Sequence, residues 1–472
     1  MLEFTEPSAG SGGAKRHLIS AWHGCTFRRS RQSAAMPAQI QFMNEAAHRV
    51  STSVLPAGVR DFLPAQARAL YALQARVLDV LDAWAYARIS TPTFERLDVL
   101  RAGLGEEGAG RVFRLVDPQS GDVLALRPDI TSQVARLAST RLRASDLPLR
   151  VAYAGRVYRL AADADYPRRE VYQVGAEHIG TSGAHADVEI AECAYTCVRA
   201  AGISRHVLAL GHVGIVRALI AALPPLPTAS AFGGMTLRTA LRDRMLARDV
   251  PSIRALLSGI EVSSKIRGAL EAVATLRGGV DVLESARALL AGSPAESAFR
   301  ALERCVGRLL ARLGPGASVL VDLGEARGFD YYTGLVFDVL HPAIGTSLGG
   351  GGRYDGLCAS FGAALPAVGF ALDAERLLDA CVAEGSGGVD THRAHLHVEH
   401  DEPSESAAAR LATRLREAGF AATLGPVTPA GPARVVRVEA TGLTLTDAGS
   451  SSRYDSAAAL LAAIGAGHGA QG

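Results

Sequence analysis

The sequence predicts an α+β fold: an antiparallel sheet flanked by helices, with a helical insertion and a small α/β C-terminal domain. Three observations carry this expectation. Residues 149–180 alternate small apolar and polar side chains on either side of a polar loop, the pattern of a β-hairpin. Residues 224–313, opened by PPLP and broken by glycine pairs, follow a helical period almost throughout. Strand patterns then resume in SVLVDLG and in the run from Arg327 to Leu340. At 472 residues the chain is long enough for two or three domains and a large core.

Residues 1–52 read as a disordered extension, with Gly/Ser runs, Arg28, Arg29 and Arg31, and no acidic residue between Pro7 and Met43. The same features mimic an organelle transit peptide; the plainer expectation is an extension upstream of a start at Met36 or Met43. The core, 53–385, opens with LPAGVRDFLP (Leu55–Pro64). A helix from about Ala65 to Ala85 follows, with Leu70, Leu73, Val77, Val80 and Leu81 at helical spacing. YARISTPTFE (Tyr86–Glu95) reads as a strand interrupted by Pro92, which places it at an edge or boundary. VFRLVD and VLALRPD pair across PQSG, and Arg127-Pro128-Asp129-Ile130-Thr131 leads into the next helix. Asp129 and Thr131 sit where an N-cap belongs, but capping accounts for only one of them.

In the central hairpin, Val157 and Arg159 share one face of the first strand. Arg169, Val171, Gln173, Gly175, Glu177 and Ile179 share one face of the second. A guanidinium, an amide and a carboxylate thus meet on one concave face, with Gly175 expected to leave room for a ligand. Residues 183–223 give helix, strand and helix. The glycine run LGGGGRYDGL (Leu348–Leu357) lacks the trailing Lys-Ser/Thr of a P-loop and reads as a tight turn packed under a ligand. AVGFALDAERLLDACV (Ala367–Val382) is a strand entering a helix. A linker at 386–393 leads to residues 394–472, read as strand, helix, three strands and helix.

Composition narrows the function. A net charge of +2 predicts no strong attraction to nucleic acid or membrane, and no apolar run approaches the roughly 20 residues of a membrane span. Lys15 and Lys265 are the only lysines, a composition bias rather than a functional feature. Of the six cysteines only Cys193 and Cys197 lie close together, at helical i, i+4 spacing in an apolar pattern. Buried thiols in a reducing cytoplasm explain them better than a metal site. His395, His397 and His400 fall in a short strand and its end without a cysteine partner, so no metal is expected there.

Taken together, these pieces resemble the core of class II aminoacyl-tRNA synthetases, and within it the histidyl branch. GVRDFLP with its helix and STPTFE resembles the first, dimer-forming motif. VYRLAADADYPRREVYQVGAEHIG resembles the second, AVGFALDAERL the third, and RGFDYYTG the histidine-specific signature. The four occur in family order between Leu55 and Val382. The resemblance implies a histidine pocket. Arg327 and Arg159 would hold the ligand's carboxylate side, and Asp129, Thr131 and Gln173 would surround its α-ammonium. Glu177 and Tyr331, with neighbouring Tyr332, would read the imidazole, because a carboxylate facing a ring N–H rejects an isosteric apolar side chain. Arg327 and Tyr331, four apart in an expected strand, would face the same side. Arg376 would be a remnant of the ATP side.

The departures point away from catalysis. Ala161 stands where the FRxE motif has its glutamate, and Pro167 where the loop has an arginine. RPDIT replaces RPEGT, a variant that resembles the ATP phosphoribosyltransferase regulatory subunit family, synthetase paralogues that no longer charge tRNA. The C-terminal unit is similar to an anticodon-binding domain, but only eight residues (Gly425–Pro432) separate its second and third strands, too few for a helical crossover. It carries six arginines and eight acidic residues, 6 − 8 = −2, the wrong sign for gripping tRNA phosphates. The resemblance therefore implies a non-catalytic regulatory subunit without a cofactor. It also implies a short-form ATP phosphoribosyltransferase catalytic subunit as partner, a hetero-oligomer built on a synthetase-like dimer, and histidine as feedback effector. No tRNA is expected. The alternative is an active histidyl-tRNA synthetase with an eroded tail, favoured by retention of Arg159, Arg327 and Arg376. A histidine sensor for some other partner, such as an RNA-dependent kinase, finds no support in the sequence.

Overall fold

The computed structural model describes residues 55–110, 112–143, 145–160, 168–224, 236–326, 332–386, 395–427, 434–439, 441–447 and 449–466. The expected extension at 1–52 and nearly all of the expected linker lie outside them. Helix α1 (Pro64–Ala83) starts on a proline, whose missing N–H costs nothing in a first turn, and buries Leu70, Leu73, Val77 and Leu81. Two short strands, β1 (Ala87–Arg88) and β2 (Phe94–Arg96), flank Pro92 in place of the single interrupted strand. After α2 (Leu97–Gly110) come β3 (Arg114–Val116) and β4 (Val123–Leu126), paired Val116 to Val123 as the hairpin pattern predicts, with β2 on the other side of β4.

Helix α3 (Thr131–Ser139) leads to the central hairpin, β5 (Leu149–Tyr158) and β6 (Glu170–Ile179). Its register runs unbroken from Leu149 opposite Ile179 to Tyr158 opposite Glu170. Next are α4 (Ala184–Ala200), β7 (Val207–His212) and α5 (Val213–Ala221). The helical stretch holds α6 (Leu237–Leu246), α7 (Val250–Ser258), α8 (Ser264–Val273), a two-residue β8 (Arg277–Gly278), α9 (Val282–Leu290) and α10 (Glu296–Leu313). Strands β9 (Val319–Asp322), β10 (Leu335–His341), β11 (Ile344–Arg353) and β12 (Ala367–Asp373) then complete the sheet, and α11 (Ala374–Ala383) follows β12 directly.

The main sheet runs β1-β5-β6-β12-β11-β10-β7-β9-β8. Neighbours from β5 to β7 are antiparallel, whereas β1 joins β5 and β9 joins β7 in parallel. Strand alternation divides β6 between two cores. Tyr172, Val174 and Ala176 face a large core shared with α1, α4 and the helices between 237 and 313; Val171 and Ile179 face a smaller one with Ile130 and Val134. Gln173 and Glu177 share that second face by the same alternation.

Two glycine expectations change. The run after Leu348 is no turn: Gly349–Gly352 lie inside β11, paired to β10 on one side and β12 on the other. A Cβ on Gly351 would sit 2.0 Å from the Gly369 carbonyl oxygen, so close approach of strands is what demands glycine there. Gly175 likewise makes room for a strand rather than a ligand, since its Cβ would lie 2.1 Å from the Phe370 carbonyl oxygen. The expected strand from Arg327 starts at Leu335 among the described residues: Tyr332–Gly334 are not in strand, and 327–331 lie outside the described residues.

The C-terminal unit contains β13 (His395–His400), α12 (Glu405–Glu417), β14 (Ala421–Gly425), β15 (Arg434–Glu439), β16 (Gly442–Asp447), β17 (Ser450–Tyr454) and α13 (Ala457–Ala466). The order is β14-β13-β15-β16-β17. Strand β17, SSSRY, was not expected because it carries no apolar alternation. Both β14 and β15 run parallel to β13, so they share a direction across it, and the described part of their connection, Pro426 and Val427, holds no helix. Helix α12 buries Leu411 and Leu415 in a core with Leu396, Val398 and Val436. His395 and His397 each meet the Thr423 hydroxyl at 3.0 Å, and Cys193 and Cys197 are both fully buried in α4. Among the described residues no helix is long and apolar enough to cross a membrane.

Candidate functional site

A cavity of about 510 Å³ opens on the Gln173–Glu177 face of the sheet. Seven predicted site residues line it: Asp129, Thr131, Arg159, Gln173, Glu177, Tyr332 and Arg376. The other two, Arg327 and Tyr331, lie outside the described residues, as do Ala161 and Pro167. Gly349, Gly350 and Gly351 of β11 also line the cavity.

Glu177 is its chemical centre. The residue is only 1% exposed, and its carboxylate accepts from three hydroxyls. Thr131 donates to Oε1 at 2.8 Å, Tyr153 to Oε1 at 3.0 Å, and Tyr354 to Oε2. Burial pushes the Glu177 carboxyl up to about 7, and Asp129 adds to the rise while the three hydroxyls oppose it. A carboxylate offers about four acceptor positions, and hydroxyls of the described residues fill three of them. Gly369, opposite Glu177 on β12, makes the space: a Cβ there would stand 1.5 Å from Oε2.

The RPDIT segment divides its labour. Asp129 Oδ1 accepts from the Ser132 backbone N–H at 3.0 Å, capping the first turn of α3. Burial raises the Asp129 carboxyl above its ordinary range, against hydrogen bonds to Ser132 and the charge of Arg159. Thr131 is free of capping duty and serves Glu177. Arg127 is a structural brace, donating to the carbonyls of Arg156 at 2.7 Å and Thr91 at 2.8 Å.

Gln173 is 8% exposed, and its Oε1 meets no donor among the described residues. A buried amide oxygen without a partner costs about 1–3 kcal/mol, a cost that a ligand ammonium or a water relieves. Arg376 donates to the Ser347 carbonyl at 2.8 Å and approaches Asp373 at 3.4 Å, which holds its guanidinium at the wall.

Sequence reasoning missed Tyr153, Tyr354 and Gly369. Tyr153 had a signal: it shares its strand face with Val157 and lies opposite Gly175 in the register. Tyr354 lay inside the quoted glycine run, hidden by reading that run as a turn.

A family model described as histidyl-tRNA synthetase matches residues 58–377. The ATP phosphoribosyltransferase regulatory subunit of Moorella thermoacetica is 40% identical over 328 residues, 69% of this chain and 81% of its own. The chain belongs to the ATP phosphoribosyltransferase regulatory subunit family. The relative of that name from Geobacter sulfurreducens is 36% identical over 326 residues, 69% of this chain and 72% of its own. A solved ATP phosphoribosyltransferase regulatory subunit/histidyl-tRNA synthetase from Bacillus halodurans superposes with a TM-score of 0.68 at 29% identity, covering 80% of this chain and 94% of that one. Histidyl-tRNA synthetase from Nostoc, at 20% identity and a TM-score of 0.70, covers 88% of this chain and 99% of that one, and shows the fold alone. The fold is that of class II aminoacyl-tRNA synthetases. Membership in the regulatory subunit family favours a regulatory role over an active synthetase, as Ala161, Pro167 and RPDIT predict.

Proposed function

We propose that this chain is the non-catalytic regulatory subunit of an ATP phosphoribosyltransferase, and that its cavity binds free histidine as the feedback effector of the first step of histidine biosynthesis. The observation that carries the ligand reading is Glu177: a buried carboxylate held by three hydroxyls in the cavity lining, with Gln173 Oε1, which meets no donor among the described residues, on the same strand face. In this reading Glu177, Tyr331 and Tyr332 select the imidazole. Asp129, Thr131 and Gln173 surround the ammonium, and the Thr131 hydroxyl also holds Glu177 in place. Arg159 and Arg327 take the carboxylate, and Arg376 remains from an ancestral ATP side.

Histidine acts on the short-form catalytic partner only through unequal affinity for two arrangements of the complex, and closure around Glu177 supplies that difference. The hetero-oligomer is built on a synthetase-like dimer in the cytoplasm. The C-terminal unit, with its formal charge of −2, makes protein contacts and binds no tRNA.

Calorimetric titration of the full chain with histidine, run beside histidine-dependent pyrophosphate exchange with ATP, tests the proposal. Binding without exchange is the expected result. Exchange at an enzyme-like rate would make the chain a synthetase and refute it.

A further inference from the structure

We propose that Arg248, on the helical insertion, is a positioning residue for the ligand cavity: its ion pair with Asp322 fixes the turn that sets Glu325 in the cavity wall. The proposal rests on the reading that this cavity holds histidine.

The turn follows the end of β9. Asp322 closes the strand, Leu323–Ala326 turn, and the chain passes directly to Arg327, the first residue of RGFDYYTG. Glu325 lines the large cavity, and it also lines a smaller one of about 160 Å³ bounded by Met245, Leu246, Arg248 and Arg277. It is therefore a shared wall between the ligand site and the insertion.

The turn is held from the insertion side. The Arg248 guanidinium donates to Asp322 Oδ2 and, at 3.1 Å, to the Ala274 carbonyl just beyond α8. Arg277 stands 3.7 Å from the same Asp322 oxygen. The Leu323 backbone N–H donates to the Leu276 carbonyl at 3.1 Å, and Asp322 Oδ1 accepts from the Gly324 backbone N–H at 3.1 Å. Both neighbours are packed to the limit. A Cβ on Gly324 would lie 2.6 Å from the Val273 carbonyl oxygen, and one on Gly211 would lie 2.6 Å from the Cβ of Glu325. The turn has little freedom to shift unless the insertion shifts with it.

Arg248 itself adopts φ +54°, a left-handed conformation that a side chain disfavours. The conformation belongs to the end of α6, where the Arg248 backbone N–H donates to the Met245 carbonyl and the Asp249 N–H to the Arg244 carbonyl, both at 3.0 Å, and from that cap the guanidinium reaches Asp322 and the Ala274 carbonyl. The insertion thus does more than fill space. It anchors the turn that supplies one wall of the cavity and leads into the histidine signature, so cavity occupancy and the α6–α8 region are coupled.

The test uses the full chain. Arg248→Gly deletes the ion pair while relieving the backbone conformation, Arg248→Lys keeps the charge, and Arg254→Ala breaks an exposed pair with Glu271 (2.8 Å) elsewhere on the insertion. Histidine affinity is read by calorimetry, and amide exchange at 323–326 by mass spectrometry without ligand. Arg248→Gly is expected to weaken histidine binding by roughly five-fold or more and to speed exchange at the turn, while leaving the C-terminal sheet unchanged. Arg248→Lys restores part of the affinity, and Arg254→Ala changes neither reading. Unchanged affinity in Arg248→Gly, beside a wild-type chain that binds, overturns this proposal alone. A wild-type chain that binds no histidine overturns the histidine reading and this proposal with it.

Discussion

Replacing Glu177 by glutamine should make stability respond differently to pH. In the folded chain burial lifts this carboxyl from its ordinary 4.5 to about 7, so the fold prefers it protonated. A raised folded value contributes stability that is fully present below about 4.5 and lost as pH climbs through about 7. The interval 7 − 4.5 corresponds to about 3 kcal/mol. Glutamine carries no charge at any pH and escapes that loss. It also places an amide N–H₂ against one of the hydroxyls from Thr131, Tyr153 or Tyr354, a constant penalty of about 1–3 kcal/mol. Urea denaturation followed by circular dichroism at pH 4 and pH 8 separates the two effects. Relative to wild type, Glu177→Gln should gain about 3 kcal/mol between the two pH values. A stability difference that is the same at both would show that Glu177 is not a buried, protonation-shifted carboxyl, and the reasoning about the site would fail.

Tyr354→Phe removes one donor from the same carboxylate and should cost about 1.5–3 kcal/mol at pH 8, with less at pH 4, measured by the same denaturation. Gly369→Ala forces a Cβ against Glu177 Oε2, so histidine binding should vanish in calorimetry while stability falls by about 1–3 kcal/mol. Arg353→Met should cost about 3–5 kcal/mol at pH 7.5, because it strands Asp187, whose carboxyl burial already pushes up to about 6 against the pull of Arg353 at 2.6 Å.

Much of the fold was legible because its motifs are local. Alternation through YQVGAEHIG placed Gln173 and Glu177 on one face, and the register of β5 and β6 kept them there. The cap of α3 was equally legible, down to the surplus that Thr131 represented. The remainder depends on contacts distant in sequence. Gly351 must be glycine because β12 lies against it, and nothing near residue 351 announces that neighbour. Tyr354 joins Glu177 across 177 residues of chain, so its role emerges only when β11 and β12 close beside β6. The polar SSSRY strand forms by pairing with β16 rather than by its own pattern. Asp322 and Arg248 are 74 residues apart, and neither belongs to a motif.

The decisive measurement is histidine inhibition of the reconstituted ATP phosphoribosyltransferase complex, the short-form catalytic subunit assembled with this chain as wild type or as Glu177→Ala. Histidine should inhibit the wild-type complex, and the Glu177→Ala complex should assemble and turn over yet lose most of that inhibition. Equal inhibition of both complexes would contradict the assignment of this cavity as the histidine sensor.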